Sequence, residues 1–199
     1  AVVERLESRD AYTFAVVDLV PPATRMAQWR RELVLVRSLQ ALIVVDRLET
    51  EQADATKTFI NHCETSPAVA GTSAATCTVG AQALTMTTLA PAQRSYRVVD
   101  EGASVSSQYR IEVDTTPGTA QSYMIHVLQA HAASALALTP TISEDGSSYT
   151  ITLSAAVSVT LQKGMTSTGG SIRIDGTDTA FRADVQRMSV TGDGPRWEP

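Results

Sequence analysis

Two residues offer the strongest chemical possibility in this sequence. Asp46 closes the longest apolar run, residues 41–45, and His62 closes the next apolar segment, just after Phe59 and Ile60. A carboxylate and a neutral imidazole at the ends of adjacent core strands suit zinc or another divalent ion such as calcium. The same two groups equally suit an ion pair or a turn cap. Zinc takes a third protein ligand as a rule, and the nearby choices are Cys63, Glu64 and Gln28. Arg30, Arg31, Arg37 and Arg47 crowd one expected hairpin. Guanidinium forks read carboxylates and sulfates through paired hydrogen bonds. Arg30 and Arg47 are therefore candidate contacts to an anionic sugar; the plainer alternative is salt bridges to Glu32, Glu49 and Glu51. Cys63 and Cys77 are either two buried thiols or a disulfide closing a hairpin-sized loop. A bridge of that size contributes about 3 kcal/mol and belongs to an oxidising compartment. Two cysteines alone make no zinc motif.

Other reactive residues have plainer readings. On a strand, His126 and His131 face opposite ways and share no metal site without a bulge. His126 reads as an inward or interface histidine, and His131 as a strand-end residue that could face a cleft. His62 and Cys63 are adjacent, so they too face apart and do not form a nucleophile pair. No Gly-x-Ser-x-Gly elbow is present. Asp175, Asp178 and Asp184 fit no calcium-loop spacing, and turn chemistry explains them better.

The elements that must position these residues read mostly in period two. Residues 12–16, 31–36, 56–60, 83–89, 108–113, 149–153 and 157–161 alternate, while 41–45 is short and continuously apolar, as in a strand buried on both faces. Turn signals such as Pro21-Pro22, Pro117-Gly118, Asp145-Gly146 and Gly169-Gly170 separate many of them. Residues 25–47 also carry apolar side chains near helical spacing. Their valine density favours two strands with a turn at 37–40. The expectation is an all-β fold: a large antiparallel β-sandwich of two packed sheets and about a dozen or more strands. Residues 1–190 form one domain and 191–199 a flexible tail. Composition agrees, with 43% hydrophobic and 19% charged residues, which excludes an extended disordered chain. A net charge of −5 argues against a general nucleic-acid binder. The longest apolar run is far too short to span a bilayer. No signal peptide is legible, and the chain opens without methionine, so a mature or excised piece of a longer protein is expected.

Three stretches in order carry a resemblance: Arg30-Arg31-Glu32-Leu33-Val34-Leu35-Val36, then Leu42-Ile43-Val44-Val45-Asp46-Arg47-Leu48, then Lys57-Thr58-Phe59-Ile60-Asn61-His62. They resemble the C-terminal β-sandwich of the heparinase II/III-like polysaccharide lyases, which include oligoalginate lyases. In that family an Arg-rich aliphatic strand leads into an apolar strand closing with Asp-Arg-aliphatic, then a Lys-x-aromatic-aliphatic-x-His strand and a proline and glycine turn. Residues 66–71 would be that turn. Tyr12–Asp18 resembles the strand before this block, 84–91 a Leu-x-Leu-x-x-Leu-x-Pro strand with Met86 at its second leucine, and 109–113 and 123–130 the pair that follows.

The resemblance implies a bacterial uronate-polysaccharide lyase module, periplasmic or secreted, acting on an acidic polysaccharide. Such lyases pair a helical toroid with the β-domain and cleave by β-elimination. A base removes the C5 proton of the uronate, whose carboxylate must be masked by donors or cations. The principal base and neutraliser lie largely on the toroid. The β-domain supplies a cleft wall, some substrate contacts and, in several members, a metal held by His and Asp, to which Asp46 and His62 correspond. Gln28 stands where a third, histidine ligand would be sought. With no toroid in the sequence, the chain is expected to be inactive alone. The alternative is a non-catalytic carbohydrate-binding or structural and assembly module of a secreted protein.

Overall fold

The computed structural model describes residues 1–19, 25–102 and 107–182, together with the backbone of 187–191 and 194–198. The first strands are β1 (Val2–Ser8), β2 (Tyr12–Asp18), β3 (Met26–Val36) and β4 (Ala41–Thr50). Residues 25–47 thus form two strands, as their valine density requires. The turn between them is a single 3-10 turn, Arg37–Leu39, closed by Gln40 in the left-handed region at φ 48°. Next come β5 (Thr58–Cys63), β6 (Ala68–Ala70), β7 (Ala74–Val79), β8 (Gln82–Ala90), β9 (Arg94–Asp100), β10 (Tyr109–Thr115) and β11 (Gln121–Ala132). The last are β12 (Thr141–Glu144), β13 (Ser148–Ser154), β14 (Val157–Gln162), β15 (Gly170–Ile174), β16 (Thr177–Ala180), β17 (Arg187–Thr191) and β18 (Gly194–Glu198).

They form three antiparallel sheets. The central one has ten strands in the order β18-β17-β1-β2-β3-β4-β11-β8-β7-β6. A three-stranded sheet, β5-β10-β9, and a five-stranded sheet, β12-β13-β14-β15-β16, complete the fold. Two sheets were expected, and β4 shows why there are three. Its Ile43 and Val45 pack with Val34, Ile125, Ile151, Val159 and Leu161, against the five-stranded sheet. Its Val44 and Leu48 pack with Phe59, Ile111, Val113 and Met124, against the three-stranded sheet. Successive strand residues point to opposite faces, so a strand apolar on both faces needs a cover on each. The central sheet is therefore the middle layer.

The covers are fastened differently. A Cys63–Cys77 disulfide, Cα–Cα 5.7 Å, ties β5 of the three-stranded sheet to β7 of the central one. The five-stranded sheet is reached through the β11–β12 connection. Its strands β14 and β15 approach so closely at Gly170 that an added Cβ would lie 1.9 Å from the Thr160 carbonyl oxygen, and Gly170 sits at φ +147°. Only glycine fits there. Of the stretch 191–199, read from sequence as a tail, the backbone of β18 pairs with β17; its side chains lie outside the described residues.

Candidate functional site

Period two decides where the arginines of the β3–β4 hairpin go. Arg30 and Arg47 oppose each other in register and share the face toward the five-stranded sheet. Arg47 is 0% exposed, which corrects its assignment as a sugar contact. Its Nη1 pairs with Glu32, equally buried, while Nε donates to the Gly164 carbonyl at 2.9 Å and Nη2 to that of Gln162 at 2.6 Å. The other Glu32 oxygen accepts from the Gly169 amide at 2.7 Å. Burial pushes the Glu32 carboxyl above its ordinary value, against the pull of Arg47 and Gly169. Arg30 is largely enclosed as well. Its Nη1 donates to the Thr166 carbonyl at 3.0 Å and its Nη2 to Glu4 at 3.1 Å. Gln28 Nε2 reaches the Met165 carbonyl at 2.5 Å, and Tyr123 Oη accepts from the Gly164 amide at 2.9 Å. The loop 163–169 is thus pinned to the central sheet by side chains that bond its backbone amides and carbonyls. Buried guanidinium suits this task because it offers five donors in a fixed fork.

Arg31 and Asp46 occupy the opposite face. Arg31 Nε donates to Asp46 Oδ1 at 2.7 Å and Nη2 to Oδ2 at 2.8 Å, and Trp29 Nε1 donates to Oδ1 at 2.8 Å. Asp46 and His62 do not end adjacent strands: β4 lies between β3 and β11, and β5 belongs to another sheet. His62 points outward, 48% exposed, with Nε2 3.4 Å from Glu101. A carboxylate already holding three donors does not fit a cation, and among the described residues no group of three His, Cys, Asp or Glu is placed to hold one. Cys63 faces inward to its disulfide, as the alternation expected.

What the hairpin does present is a cleft between β3–β4 and β5. A cavity of about 500 Å³ is lined by Trp29, Arg31, Asp46, Lys57, Phe59 and Met124, among others. A second, of about 510 Å³, shares Met26, Thr56 and Lys57 with it and adds Arg25, Thr50, Gln52 and Asp54. The Arg31 guanidinium lies 5.4 Å from the Trp29 ring centroid and 5.7 Å from that of Phe59. Its fork to Asp46 leaves Nη1 outside the pair. Lys57 Nζ donates to the Thr119 carbonyl at 2.7 Å, and burial pushes its ammonium below the usual range. Sequence reasoning singled out neither Trp29 nor Lys57 as a site residue. Lys57 carried a signal, being one of two lysines in the chain.

Behind this cleft lies His126. Its ring stacks on Phe59 at 3.8 Å, Nδ1 meets Thr88 Oγ1 at 3.0 Å, and Nε2 has no partner among the described residues. Burial first, then the Arg31 and Arg94 charges, push its pKa down to about 3, so the ring is neutral. It is inward, as expected, but satisfied on one nitrogen only. His131 bonds Thr85 at 2.9 Å and the Ala132 carbonyl at 2.9 Å. On the outer face of the three-stranded sheet, Arg97 and Arg110 both bond Glu112, and Arg110 also bonds Glu101. Burial raises the Glu112 carboxyl, but these bonds outweigh it and hold the group below its ordinary value.

No protein-family model matches the chain, and no curated protein does. Solved structures do. Heparan sulfate lyase HepC from Pedobacter heparinus is similar with a TM-score of 0.57 at 12% identity, over 90% of this chain and 27% of that one. The heparinase III BT4657 gene product is similar with a TM-score of 0.61 at 10% identity, again over 90% of this chain and 27% of the other. The chain spans about a quarter of the length of these proteins. At such identities the likeness establishes the fold.

Proposed function

We propose that the chain is the β-sandwich module of a uronate-polysaccharide lyase of the heparinase II/III type. It forms one wall of the sugar cleft and the contact with a helical toroid, and it is inactive alone. The observation that carries this reading is the cleft in which the partly exposed Trp29 and Arg31 stand over a floor formed by the buried Phe59 and Lys57. Aromatic faces stack on sugar rings, and guanidinium forks take carboxylate or sulfate. In β-elimination such donors mask the uronate charge, so that the C5 proton becomes acidic enough to leave. A proton shuttle is the other requirement. Among the described residues neither His nor Tyr lines either cavity, so this reading draws the shuttle from another part of the enzyme. The Cys63–Cys77 bridge supports a periplasmic or secreted location, and the fold likeness supports a bacterial lyase. Because Asp46 is already engaged by Arg31 and Trp29, no step is assigned to a metal.

The test is a pair of measurements on the pure chain. Incubation with heparan sulfate, alginate or hyaluronan yields no unsaturated-uronate absorbance; robust product would overturn the assignment of the shuttle elsewhere. Calorimetric titration with a heparan sulfate oligosaccharide gives binding that weakens in Arg25→Gln, since Arg25 is exposed on the cleft wall. Binding that is absent, or indifferent to Arg25, would favour the second reading, a structural or assembly module. That reading has its own support in the engagement of Arg30 and Arg47 with internal carbonyls.

A further inference from the structure

The interface between the central and five-stranded sheets stays open at one end. There β12 forms the edge of the five-stranded sheet, and among the described residues only β13 lies beside it. Glu144 of β12 stands opposite Tyr149 of β13, and Ile142 opposite Ile151, so Ile142, Glu144 and Tyr149 share one face. Tyr149 and Ile142 pack into the core against the central sheet, which turns that face inward. From the central sheet, strand alternation sends Gln121 and Tyr123 the same way as the core residue Ile125. Leu89 joins them from β8. A cavity of about 420 Å³ lies between the two sets, inside the range of about 300–1,000 Å³ usual for small-molecule sites. Its floor is apolar, made by Leu89, Ile142 and the rings of Tyr123 and Tyr149, which meet edge to face at 5.3 Å.

Three polar groups on this wall keep hydrogen-bonding capacity to spare. Tyr149 is 9% exposed, and its hydroxyl has no hydrogen-bond partner among the described residues. Burial, then the neighbouring Tyr123 and Glu144, push its phenol up to about 12, so it keeps its proton and can donate. Glu144 pairs with Lys163 Nζ through Oε2 at 2.9 Å, which leaves Oε1 to accept. Gln121 gives Nε2 to Glu49 at 3.2 Å, which leaves its carbonyl oxygen. Among the described residues that line the cavity, Glu144 alone is charged, and Lys163 balances it. Lys163 is itself engaged: it donates to the Asp145 carbonyl and lies 4.8 Å from the Tyr149 ring centroid. The site thus offers no unmatched charge to an anion or a cation. An apolar floor beneath one donor and two acceptors matches a pyranose, whose C–H face is apolar and whose hydroxyls ring its edge. We propose that this cavity binds an uncharged pyranose, with its C–H face on the floor and its hydroxyls on Tyr149, Glu144 and Gln121. The site is separate from the Trp29–Lys57 cleft and takes a neutral rather than an acidic sugar, so each assignment can fail without the other.

The test is titration of the full chain with the methyl glycosides of glucose, galactose and mannose, following backbone amide resonances by NMR. At least one of them is expected to give saturable shifts at Gln121, Glu144 and Tyr149 while the Trp29 indole resonance stays fixed. The methyl glycoside of glucuronic acid binds more weakly than that of glucose, because its carboxylate meets no free cation. Tyr149→Phe weakens binding of the responding glycoside by about 5-fold, the loss of one hydrogen bond between neutral groups, and Glu144→Gln by about 10-fold, the loss of one to a charged group. Both variants keep the fold: the Tyr149 hydroxyl holds no other described residue, and the Glu144 side chain is 64% exposed. Arg97→Gln, on the outer face of the three-stranded sheet and 62% exposed, leaves the affinity unchanged. The proposal would be overturned by shifts that never saturate with any of the three glycosides, by a glucuronoside that binds as tightly as the glucoside, or by wild-type affinity in both Tyr149→Phe and Glu144→Gln.

Discussion

Arg47 shows how far a residue type alone can mislead. An arginine at the end of an apolar strand reads as a surface charge, yet here it is sealed between layers with Glu32 and two backbone carbonyls. Removing one partner of a buried pair strands the other charge, at a cost of about 3–5 kcal/mol. Arg47→Met should lose stability on that scale in urea unfolding, and Glu32→Leu/Arg47→Met should lose less than the single Arg47 variant. A single variant within about 1 kcal/mol of wild type would contradict the pin. His126 gives a prediction in pH. In the fold its pKa is pushed down to about 3, against an ordinary 6.5. Below pH 6.5 the unfolded chain binds a proton that the folded one refuses. The stabilisation is therefore complete above 6.5 and is lost as pH falls toward 3, by about 1.4 kcal/mol per pH unit. Glu32, whose carboxyl is raised, acts in the opposite sense above its ordinary 4.5. It does so equally in a His126→Leu variant, so the stability difference between wild type and that variant isolates His126. A difference flat from pH 6.5 to 4.5 would refute a buried neutral ring.

At the scale of strands and sheets, the sequence was informative about type and poor about neighbours. Period two and valine density placed β3 and β4 and the turn between them, because those signals are local. The continuous apolar run 41–45 announced a strand covered on both sides, and β4 is one. What covers each side depends on pairings between distant segments, which alternation does not encode. For that reason Asp46 and His62 looked like neighbours although their strands belong to different sheets. The arginines of one hairpin also looked like one cluster, although 30 and 47 face one layer and 31 the other. The two cysteines left open whether they were paired; β5 and β7 bring them together across layers. Reduction of that bridge should lower the stability of the chain by about 3 kcal/mol, read as a shift of the urea midpoint with and without reductant. The loss should be matched by a Cys63→Ala/Cys77→Ala double variant. An unchanged midpoint would mean that the three-stranded sheet is held by its apolar contacts alone.

At the scale of the whole molecule, three layers divide two tasks. One interface, between the central and five-stranded sheets, takes up buried arginines as internal fastenings. The other opens beside β5 into a cleft with an indole, a phenyl ring, a guanidinium and an ammonium. That second interface is where the proposed function puts an acidic sugar, and the likeness to lyase structures over 90% of this chain is a likeness of fold. The sequence offered Arg30 and Arg47 of this hairpin for such contacts, and both face the five-stranded sheet, since only the layer beyond decides which face meets solvent. The most direct test follows the Trp29 indole N–H resonance in a Trp197→Phe background while a sulfated uronate oligosaccharide is added. The account predicts a saturable shift of that resonance, absent with a neutral oligosaccharide of equal length. A resonance that stays fixed while the oligosaccharide binds, or that never responds to either sugar, would contradict it.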